Sequence, residues 1–284
     1  MKKIFLSLFV LLSQLTFAQK KSLLWEISGN GLDKPSYLYG TIHLLCEKDF
    51  VLSEKTKVHF AEAEQVVLEL DMDDPKMMVD MMQSMYMKNN MTLKKLLSEA
   101  DYGDLERYFK DSVGMNLAMF NAAKPFVLMS MLYKNVMNCP IQSYEMTFTE
   151  MAKKQKKEVF GLETVKDQMA IFDEIPYEKQ AEAMIKLIKQ PAQSDNEFDK
   201  MVALYKSQNI KKMAKLSAKS DFEFKDYESQ LLDNRNAKWI DKIGTFSHQK
   251  STFFAVGAAH LGGRKGVVKL LQKAGYQVKP VALR

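Results

Sequence analysis

One short pattern occurs twice in this sequence, near its two ends. In each copy an apolar run ends at a glycine, and a histidine follows three positions later. The first copy ends in Gly40 and His43, and the second ends in Gly257 and His260. Runs of this composition form β-strands, so both motifs, written G-x-x-H, lie where a strand ends. The repeat constrains the chain to a fold in which a glycine–histidine turn follows each of two strands.

Each motif opens a unit of strand, G-x-x-H, helix and strand. Turn signals at residues 29–31 and 33–35 separate an additional first strand from the first unit. Ser53 is a good N-cap for the helix of that unit, and Gly275 is a good C′ residue for the helix of the second. This order is typical of βαβ units. The predicted strands cover residues 23–27, 36–39, 66–71, 252–256 and 276–281, and the helices of the two units cover 54–63 and 264–274.

The sequence between the two units is mostly helical. One strand is predicted over residues 158–162, followed by Thr164-x-x-Asp167, which has the pattern of a capping box. The lysine-rich, glycine-poor stretch 190–220 is interpreted as a flexible connection between helices. The inserted helices are predicted from Pro75 onward and at about 101–111, 124–137, 143–156, 177–190, 195–206 and 226–246.

Residues 1–18 are predicted to be a secretory signal peptide. Two lysines precede an apolar run, and Ala18 is a small residue suited to cleavage. That run is too short to span a membrane, and no later apolar run is long enough. We predict a secreted or periplasmic mature chain without a membrane anchor. Residues 19–284 then form one α/β (α+β) domain, with a central mixed sheet built from the two units and a helical insertion over about 72–250.

The charge of the chain gives no support for binding to nucleic acid. The formal net charge is +6 for 284 residues, and it falls by two to +4 when the two lysines of the signal peptide are removed. The lysine cluster at 153–157 is local, and it suits the C-terminal end of a helix, where cations are favoured. Aromatic residues do not alternate with Arg and Lys in a stripe. We therefore exclude nucleic acid as a partner.

Cys46 and Cys139 are the two cysteines of the sequence. In an exported protein such a pair favours a disulfide. This bond would tie the loop after His43 to the middle of the chain. The alternative is a pair of buried free thiols.

The two motif histidines are the first candidates for chemistry. In α/β sheets ligands bind beyond the carboxyl ends of the strands, where both motifs are predicted to lie. Glycine at this point lets the backbone approach a ligand closely. Neutral imidazole is a common metal ligand and a general base near neutral pH. His43 and His260 are therefore predicted to be metal ligands, and the alternative is that they are structural residues at strand ends.

Three further residues are candidates for the same site. Glu69 interrupts the apolar strand 66–71, where an ionised carboxylate costs several kcal/mol unless it is paired or bound to a cation. Its partner is either an arginine or a metal. Glu163 follows the strand of the insertion in the same way, although it also suits the start of a helix. Arg235 is predicted to pair with Glu69 or Glu163 or to stabilise an oxyanion, and the alternative is a surface arginine at a helix start.

Other polar and sulfur-containing residues have simpler explanations. Asp71 and Asp73 are predicted to be loop-facing caps, and His59 lies inside a helix. His248, in a polar loop, is the spare candidate if a third imidazole is required. The eight methionines between residues 72 and 91 indicate an adaptable packing face, with Cu(I) binding through thioethers as the alternative.

These motifs resemble those of the TraB/GumN family. The likeness covers about residues 23–281. The family includes the Tiki proteases of animals and is similar to the erythromycin-esterase and ChaN-like haem-binding proteins. The residues that carry the resemblance are Tyr39-Gly40-Thr41-Ile42-His43-Leu44, Leu68-Glu69-Leu70-Asp71, Gly161-Leu162-Glu163-Thr164, Asp233-Asn234-Arg235-Asn236 and Val256-Gly257-Ala258-Ala259-His260-Leu261-Gly262.

The resemblance implies a metal-dependent hydrolase, with peptidase activity that uses Mn²⁺ or Co²⁺ in the Tiki relatives. It assigns the paired G-x-x-H motifs to His43 and His260, the acidic residue that follows the first motif to Glu69, and the arginine of an R-N motif to Arg235.

The leading hypothesis is an exported metal-dependent hydrolase that acts on a peptide or protein substrate. His43, His260 and an acid, Glu69 or alternatively Glu163, would hold one divalent cation, Mn²⁺, Co²⁺ or Zn²⁺, with a position open for water. Glu69 or Glu163 would accept a proton, and Arg235 would stabilise the oxyanion. The two alternatives are a haem- or iron-binding protein without turnover and a metal-free, esterase-like hydrolase with one histidine as general base.

Overall fold

The computed structural model describes residues 21–137, 139–217 and 225–283, so the predicted signal peptide lies outside the described residues. Within them eight strands are present. In chain order these are β1 (Leu24–Ser28), β2 (Ser36–Thr41), β3 (Leu45–Cys46), β4 (Gln65–Leu68), β5 (Ile141–Gln142), β6 (Val159–Gly161), β7 (Thr252–Gly257) and β8 (Gln277–Pro280). Six of them form one sheet in the spatial order β6-β4-β7-β2-β1-β8, and β3 and β5 form a separate pair.

Four neighbouring strands of the sheet run in the same direction. β7 pairs in parallel with β2 on one side and with β4 on the other, and β4 pairs in parallel with β6. β1 pairs antiparallel with both β2 and β8, so the sheet is mixed, as predicted. The residues that follow β2, β7, β4 and β6 therefore meet at one edge of the sheet, which is where ligands bind in α/β proteins.

The strands that lead to this edge are the most buried of the sheet. Every residue of β2, β4 and β7 is buried. Strands that are covered on both faces have continuous apolar sequences rather than alternating ones, which explains why these three were recognisable as uninterrupted runs. By contrast β8, the outermost strand on one side of the sheet, contains both exposed and buried residues.

Twelve α-helices accompany the strands in the described part of the chain. None of them combines the length and the hydrophobicity that a membrane crossing requires. In chain order they are α1 (Glu54–Glu62), α2 (Met77–Ser84), α3 (Leu93–Leu96), α4 (Glu99–Tyr108), α5 (Pro125–Val136), α6 (Tyr144–Lys154), α7 (Val165–Asp173), α8 (Tyr177–Lys189), α9 (Pro191–Lys206), α10 (Ile210–Ser217), α11 (Asn234–Gln249) and α12 (Val267–Lys273).

Helices cover both faces of the sheet. Phe253 of β7 contacts Phe148 of α6 on one face. The next residue, Phe254, points to the opposite face, because side chains alternate along a strand. The parallel register aligns Phe254 with Phe160 of β6, whose ring contacts Phe246 of α11. The fold therefore has three layers with the sheet in the middle, which confirms the predicted α/β class.

The inserted helices form a second hydrophobic core away from the sheet. It buries Leu93 of α3, Leu105 of α4, Leu132 of α5 and Leu187 of α8. The predicted helices between the two units are thus present, and the capping box of Thr164 and Asp167 at the start of α7 is also confirmed.

A disulfide between Cys46 and Cys139 confirms the predicted pairing. It joins β3 to the segment that precedes β5, and these two short strands also pair through their backbones. The loop after the first G-x-x-H motif is thereby tied to the start of α6.

Among the differences between the structure and the predictions, two concern the helices that pack on the sheet layer. The described part of 190–220 contains α9 and α10 rather than a flexible connection, because Val202 and Ile210 are buried in the core of the sheet layer. The helix predicted over 264–274 begins later, at Val267. The residues after β7 first form a short 3₁₀ turn, Ala258–His260, that positions the second motif histidine.

Candidate functional site

The two G-x-x-H motifs meet at the carboxyl edge of the sheet, since β2 and β7 are parallel neighbours. Gly257 lies at the centre of the cluster. A Cβ atom on this residue would lie 3.3 Å from Glu69 Oε1, 3.5 Å from His43 Nε2 and 3.5 Å from His260 Cδ2. The motif glycine therefore leaves open the space on which three predicted site residues converge.

His43 lies at the solvent-facing side of the site, with 64% of its side chain exposed. Its Nδ1 is 2.8 Å from Glu145 Oε1. An ionised carboxylate only accepts hydrogen bonds, so Nδ1 carries a proton and donates it to Glu145. The other ring nitrogen, Nε2, lies 4.0 Å from Glu69 Oε1.

His260 lies on the buried side of the site, and its tautomer follows from its neighbours. Asn236 Nδ2 donates to the carbonyl of Lys265 at 3.0 Å, so the amide oxygen of Asn236 faces His260. That oxygen accepts a hydrogen bond from His260 Nδ1 at 2.6 Å. His260 Nε2 then carries a lone pair, which accepts from Arg235 Nη1 at 3.2 Å and lies 3.9 Å from Glu69 Oε1.

Glu69 follows β4 directly and is buried. Its Oε2 accepts from Arg235 Nη2 at 2.6 Å and from Gln168 Nε2 at 3.2 Å. Its Oε1 accepts from the backbone N–H of Gly257 at 2.8 Å. One oxygen is thus paired with the guanidinium, and the other faces both motif histidines.

Arg235, in the first turn of α11, joins the remaining predicted residues. Its Nε and Nη2 donate to Glu163 at 3.0 and 2.8 Å, and Nη2 also donates to Glu69. Its Nη1 donates to the carbonyl of Leu231 at 3.1 Å and to His260. A guanidinium has five N–H groups, and all five are directed at acceptors here. No N–H of Arg235 is left free for a developing oxyanion.

The charges of the cluster do not balance. The carboxylates of Glu69, Glu145 and Glu163 are all little exposed; Glu69 and Glu163 share the guanidinium of Arg235, and Glu145 pairs with His43. With His43 protonated, one negative charge is still uncompensated. Buried charge is costly unless it is paired, so this balance favours the binding of a cation.

The pKa values of the site follow from burial and these contacts. Burial lowers the pKa of His260 to about 3, and the charges of Arg235 and His43 act in the same direction. Desolvation also acts against protonation of His43, but the charge of Glu145 and its hydrogen bond raise the pKa of His43 to about 9. Water screens part of that attraction at the exposed ring. Burial alone would raise the pKa of Glu69, whereas Arg235 holds it well below its usual range.

The donor atoms of His43, His260 and Glu69 are of the types that bind a divalent cation. Two imidazole nitrogens and one carboxylate oxygen suit Zn²⁺ or Mn²⁺. Donors of a tetrahedral site lie about 3.3 Å apart, so the observed separations of 4.0 and 3.9 Å require a closing movement. Among the described residues no three His, Cys, Asp or Glu side chains form a ready-made cation cluster. The hydrogen bond from Arg235 to His260 Nε2 would have to yield.

The comparison with protein families is decisive for the classification. The model of the TraB/PrgY/gumN family matches residues 23–280, which is nearly the whole described chain. The chain belongs to the TraB/PrgY/gumN family. A curated relative, described as a metalloprotease TIKI homolog of Amphimedon queenslandica, is 23% identical over 322 residues. The match covers 94% of this chain but 62% of that relative. No solved structure matches the chain.

Two histidines of this TraB/PrgY/gumN protein have partners outside the site. His59 contacts Glu62 at 2.9 Å and stacks on Tyr37. His248 lies in the last turn of α11 rather than in a loop, and its ring nitrogens contact the carbonyls of Gly244 and Asn30. The prediction that His248 lies in a loop is therefore wrong, and both of its ring nitrogens contact backbone carbonyls outside the site.

Sequence reasoning missed two polar residues that contact the motif histidines. Glu145 lies in the first turn of α6, where an acidic residue is common and does not by itself indicate a site. Asn236 follows Arg235 in the R-N motif, but the motif alone does not indicate what Asn236 contacts. The position of Asn236 within the TraB/PrgY/gumN motif was the available signal, whereas Glu145 offered none.

Proposed function

We propose that this chain is an exported metal-dependent hydrolase that cleaves peptide bonds. The observation that carries the proposal is the approach of His43 Nε2 and His260 Nε2 to one oxygen of Glu69, at 4.0 and 3.9 Å. The similarity to a metalloprotease homologue supports a peptide or protein substrate. The disulfide supports a location outside the reducing cytosol.

Three donors would hold the cation. His43 and His260 would contribute Nε2, and Glu69 would contribute Oε1. Mn²⁺, Co²⁺ and Zn²⁺ all accept this combination of ligands. When bound, a divalent cation supplies Lewis-acid activation of water and polarisation of a carbonyl group.

The lowered pKa of Glu69 supports one of its two proposed roles, that of metal ligand, over that of proton acceptor. A carboxyl group whose pKa lies well below its usual range is a weak base, so Glu69 suits a ligand better than a proton acceptor. Both oxygens of Glu163 are engaged by Arg235, at 3.2 and 3.0 Å from Nε. Acting as a base would require Glu163 to leave this pair. We therefore assign to Arg235 and Glu163 the role of holding Glu69 in position.

A metal-free hydrolase is the second candidate, and one contact favours it. Glu145 holds Nδ1 of His43 and leaves Nε2 directed into the site, as a carboxylate orients the general base of a catalytic triad. The raised pKa of His43 acts against this role, because a ring that is protonated at neutral pH cannot accept a proton.

The two candidates are separated by a hydrolysis assay. The mature chain is incubated with a peptide library before and after chelation, and Mn²⁺, Co²⁺ or Zn²⁺ is then added back. We expect hydrolysis that is lost on chelation, restored by a cation and abolished in His43→Ala and in His260→Ala. His59→Ala is the matched control, since His59 contacts Glu62 outside the site, and it should retain the activity.

Hydrolysis that survives both chelation and His43→Ala would contradict the metal-dependent mechanism. Loss in His43→Ala with full activity after chelation would favour the metal-free candidate. A Soret band on addition of haem, lost in the same variant, would instead favour a haem-binding protein.

A further inference from the structure

We propose that Glu145 and Asn236 are positioning residues, which fix a proton on Nδ1 of each motif histidine and turn both Nε2 atoms towards Glu69. The consequence for cation binding rests on the proposed function. The proton positions themselves follow from the hydrogen bonds of this protein and can be tested without a cation.

Glu145 is held in place from three sides. Its Oε1 accepts from His43 Nδ1 at 2.8 Å and from Thr41 Oγ1 at 2.6 Å, and its Oε2 accepts from Ser143 Oγ at 2.9 Å. A carboxylate anchored through both oxygens cannot rotate freely. Because most of the His43 side chain is exposed, little other packing restrains its ring. The hydrogen bond to Glu145 is therefore the contact that orients Nε2.

Asn236 restrains His260 in a different way. The Asn236 side chain is buried, and both ends of its amide are engaged, with Nδ2 on the carbonyl of Lys265 and Oδ1 on His260 Nδ1. Trp239 packs against the imidazole at 4.5 Å between ring centroids. The amide fixes the tautomer of His260, and the indole limits the tilt of its ring.

The two acceptors differ in charge, and their surroundings explain why. His260 is buried beside Glu69, where a second carboxylate would add to an already uncompensated negative charge. A neutral amide supplies the acceptor without that cost. Glu145 is little exposed as well, but it accepts hydrogen bonds from Thr41 and Ser143 as well as from the exposed His43, so a charged acceptor is stabilised there. Histidine ligands commonly donate their second N–H to such an oxygen, and loss of the acceptor typically weakens metal affinity by about 10–100-fold.

The role of Glu145 is tested by calorimetric titration with Zn²⁺ or Mn²⁺. E145A removes the acceptor and should weaken binding by about 10–100-fold. E145Q keeps an amide oxygen that accepts from Nδ1, and it should recover most of the wild-type affinity. E150A, an exposed position on the same helix, is the matched control and should bind as the wild type does. Rescue by E145Q also separates positioning from a general loss of the fold.

The role of Asn236 is tested without a cation, by long-range ¹H–¹⁵N spectra of the imidazoles. The wild type should show His260 protonated on Nδ1. N236A should raise the fraction of rings protonated on Nε2, because the hydrogen bond from Arg235 Nη1 is then the one contact of the described site that favours the Nδ1 tautomer. His59, whose contacts lie elsewhere, is the internal reference and should be unchanged.

The outcomes distinguish this inference from the proposed function. If E145A binds the cation as tightly as the wild type while His43→Ala does not, Glu145 has no positioning role but the cation site stands. If the wild type binds no cation, the proposed function fails, and the spectra still decide the proton positions. A His260 proton that stays on Nδ1 in a folded N236A variant would overturn the role of Asn236.

Discussion

Arg235 Nη2 lies 2.6 Å from Glu69 Oε2, and this contact leaves the opposite oxygen of Glu69 facing the two motif histidines. The pair is buried on both sides, with 12% and 9% of the side chains exposed. The guanidinium of Arg235 also pairs with Glu163, so this one side chain compensates the charge of two carboxylates at the edge of the sheet. The orientation of the proposed ligand Glu69 thus depends on Arg235, which follows it by 166 positions in the sequence.

Arg235→Ala should therefore be strongly destabilising. The substitution leaves Glu69 and Glu163 buried without their counter-charge, and we expect a loss of about 3–5 kcal/mol in the free energy of unfolding. Urea denaturation measures this loss. Arg107→Ala is the control, because Arg107 pairs with Asp104 at the surface and should change stability by less than about 1 kcal/mol. Equal losses in the two variants would contradict the buried network.

Gly257→Ala should impair the site more than the fold. Its backbone at φ −51° is accessible to alanine, but the added Cβ would lie 3.3 Å from Glu69 Oε1. We expect cation affinity to fall on the order of tenfold, with a change in unfolding free energy of about 1 kcal/mol. The control is Gly103→Ala on α4, where a Cβ meets nothing within 4 Å. A Gly257→Ala variant with wild-type affinity would show that the centre of the cluster is not the cation site.

Cation binding should depend on pH through His43. The pKa of His43 is raised to about 9, so below that pH a cation must displace a proton from Nε2. Apparent affinity should therefore increase with pH, by roughly tenfold per unit between about pH 6 and 8, and level off above the pKa. Calorimetry in buffers of different ionisation enthalpy counts the released proton. An affinity that is flat over this range, with no proton released, would contradict the displacement of a proton from His43 by the cation.

Removal of the disulfide should weaken both the fold and the site. Cys46 and Cys139 are 93 positions apart, and the loss of a bond that closes so long a loop should cost about 2–5 kcal/mol. Cys46 follows His43 closely and Cys139 precedes Glu145, so the bond also ties together the segments that carry this pair. The double variant Cys46→Ser with Cys139→Ser should show lower stability and weaker cation binding. If reduction of the disulfide changes neither the stability nor the cation affinity, the bond does not support the fold and the site in this way.

Much of the fold followed from local sequence patterns. β2, β4 and β7 are buried on both faces, so their sequences are largely apolar runs, and the polar residues shortly after them, His43, Glu69 and His260, are recognisable in the sequence. Parallel pairing then places such residues at one edge. The sequence leaves an arginine or a metal open as the partner of Glu69, and the structure brings Arg235 to it.

The remaining parts of the site depend on tertiary packing that leaves no local signal. Glu145 reaches His43 because α6 packs against the segment after β2, and nothing in the sequence of α6 reports that contact. His248 lies on α11 because the helix continues to Gln249 through a polar stretch that resembles a loop. The sequence of α10 is rich in lysine, yet burial of Ile210 and Met213 keeps it helical.

The central claim is that His43 and His260 bind the same divalent cation together with Glu69. X-ray absorption spectroscopy at the edge of a bound Zn²⁺ or Mn²⁺ tests it most directly. We predict a first shell that contains two imidazole nitrogens, and the loss of one imidazole in His43→Ala and in His260→Ala. A wild-type protein that binds no cation, or a shell that both substitutions leave unchanged, would contradict the claim.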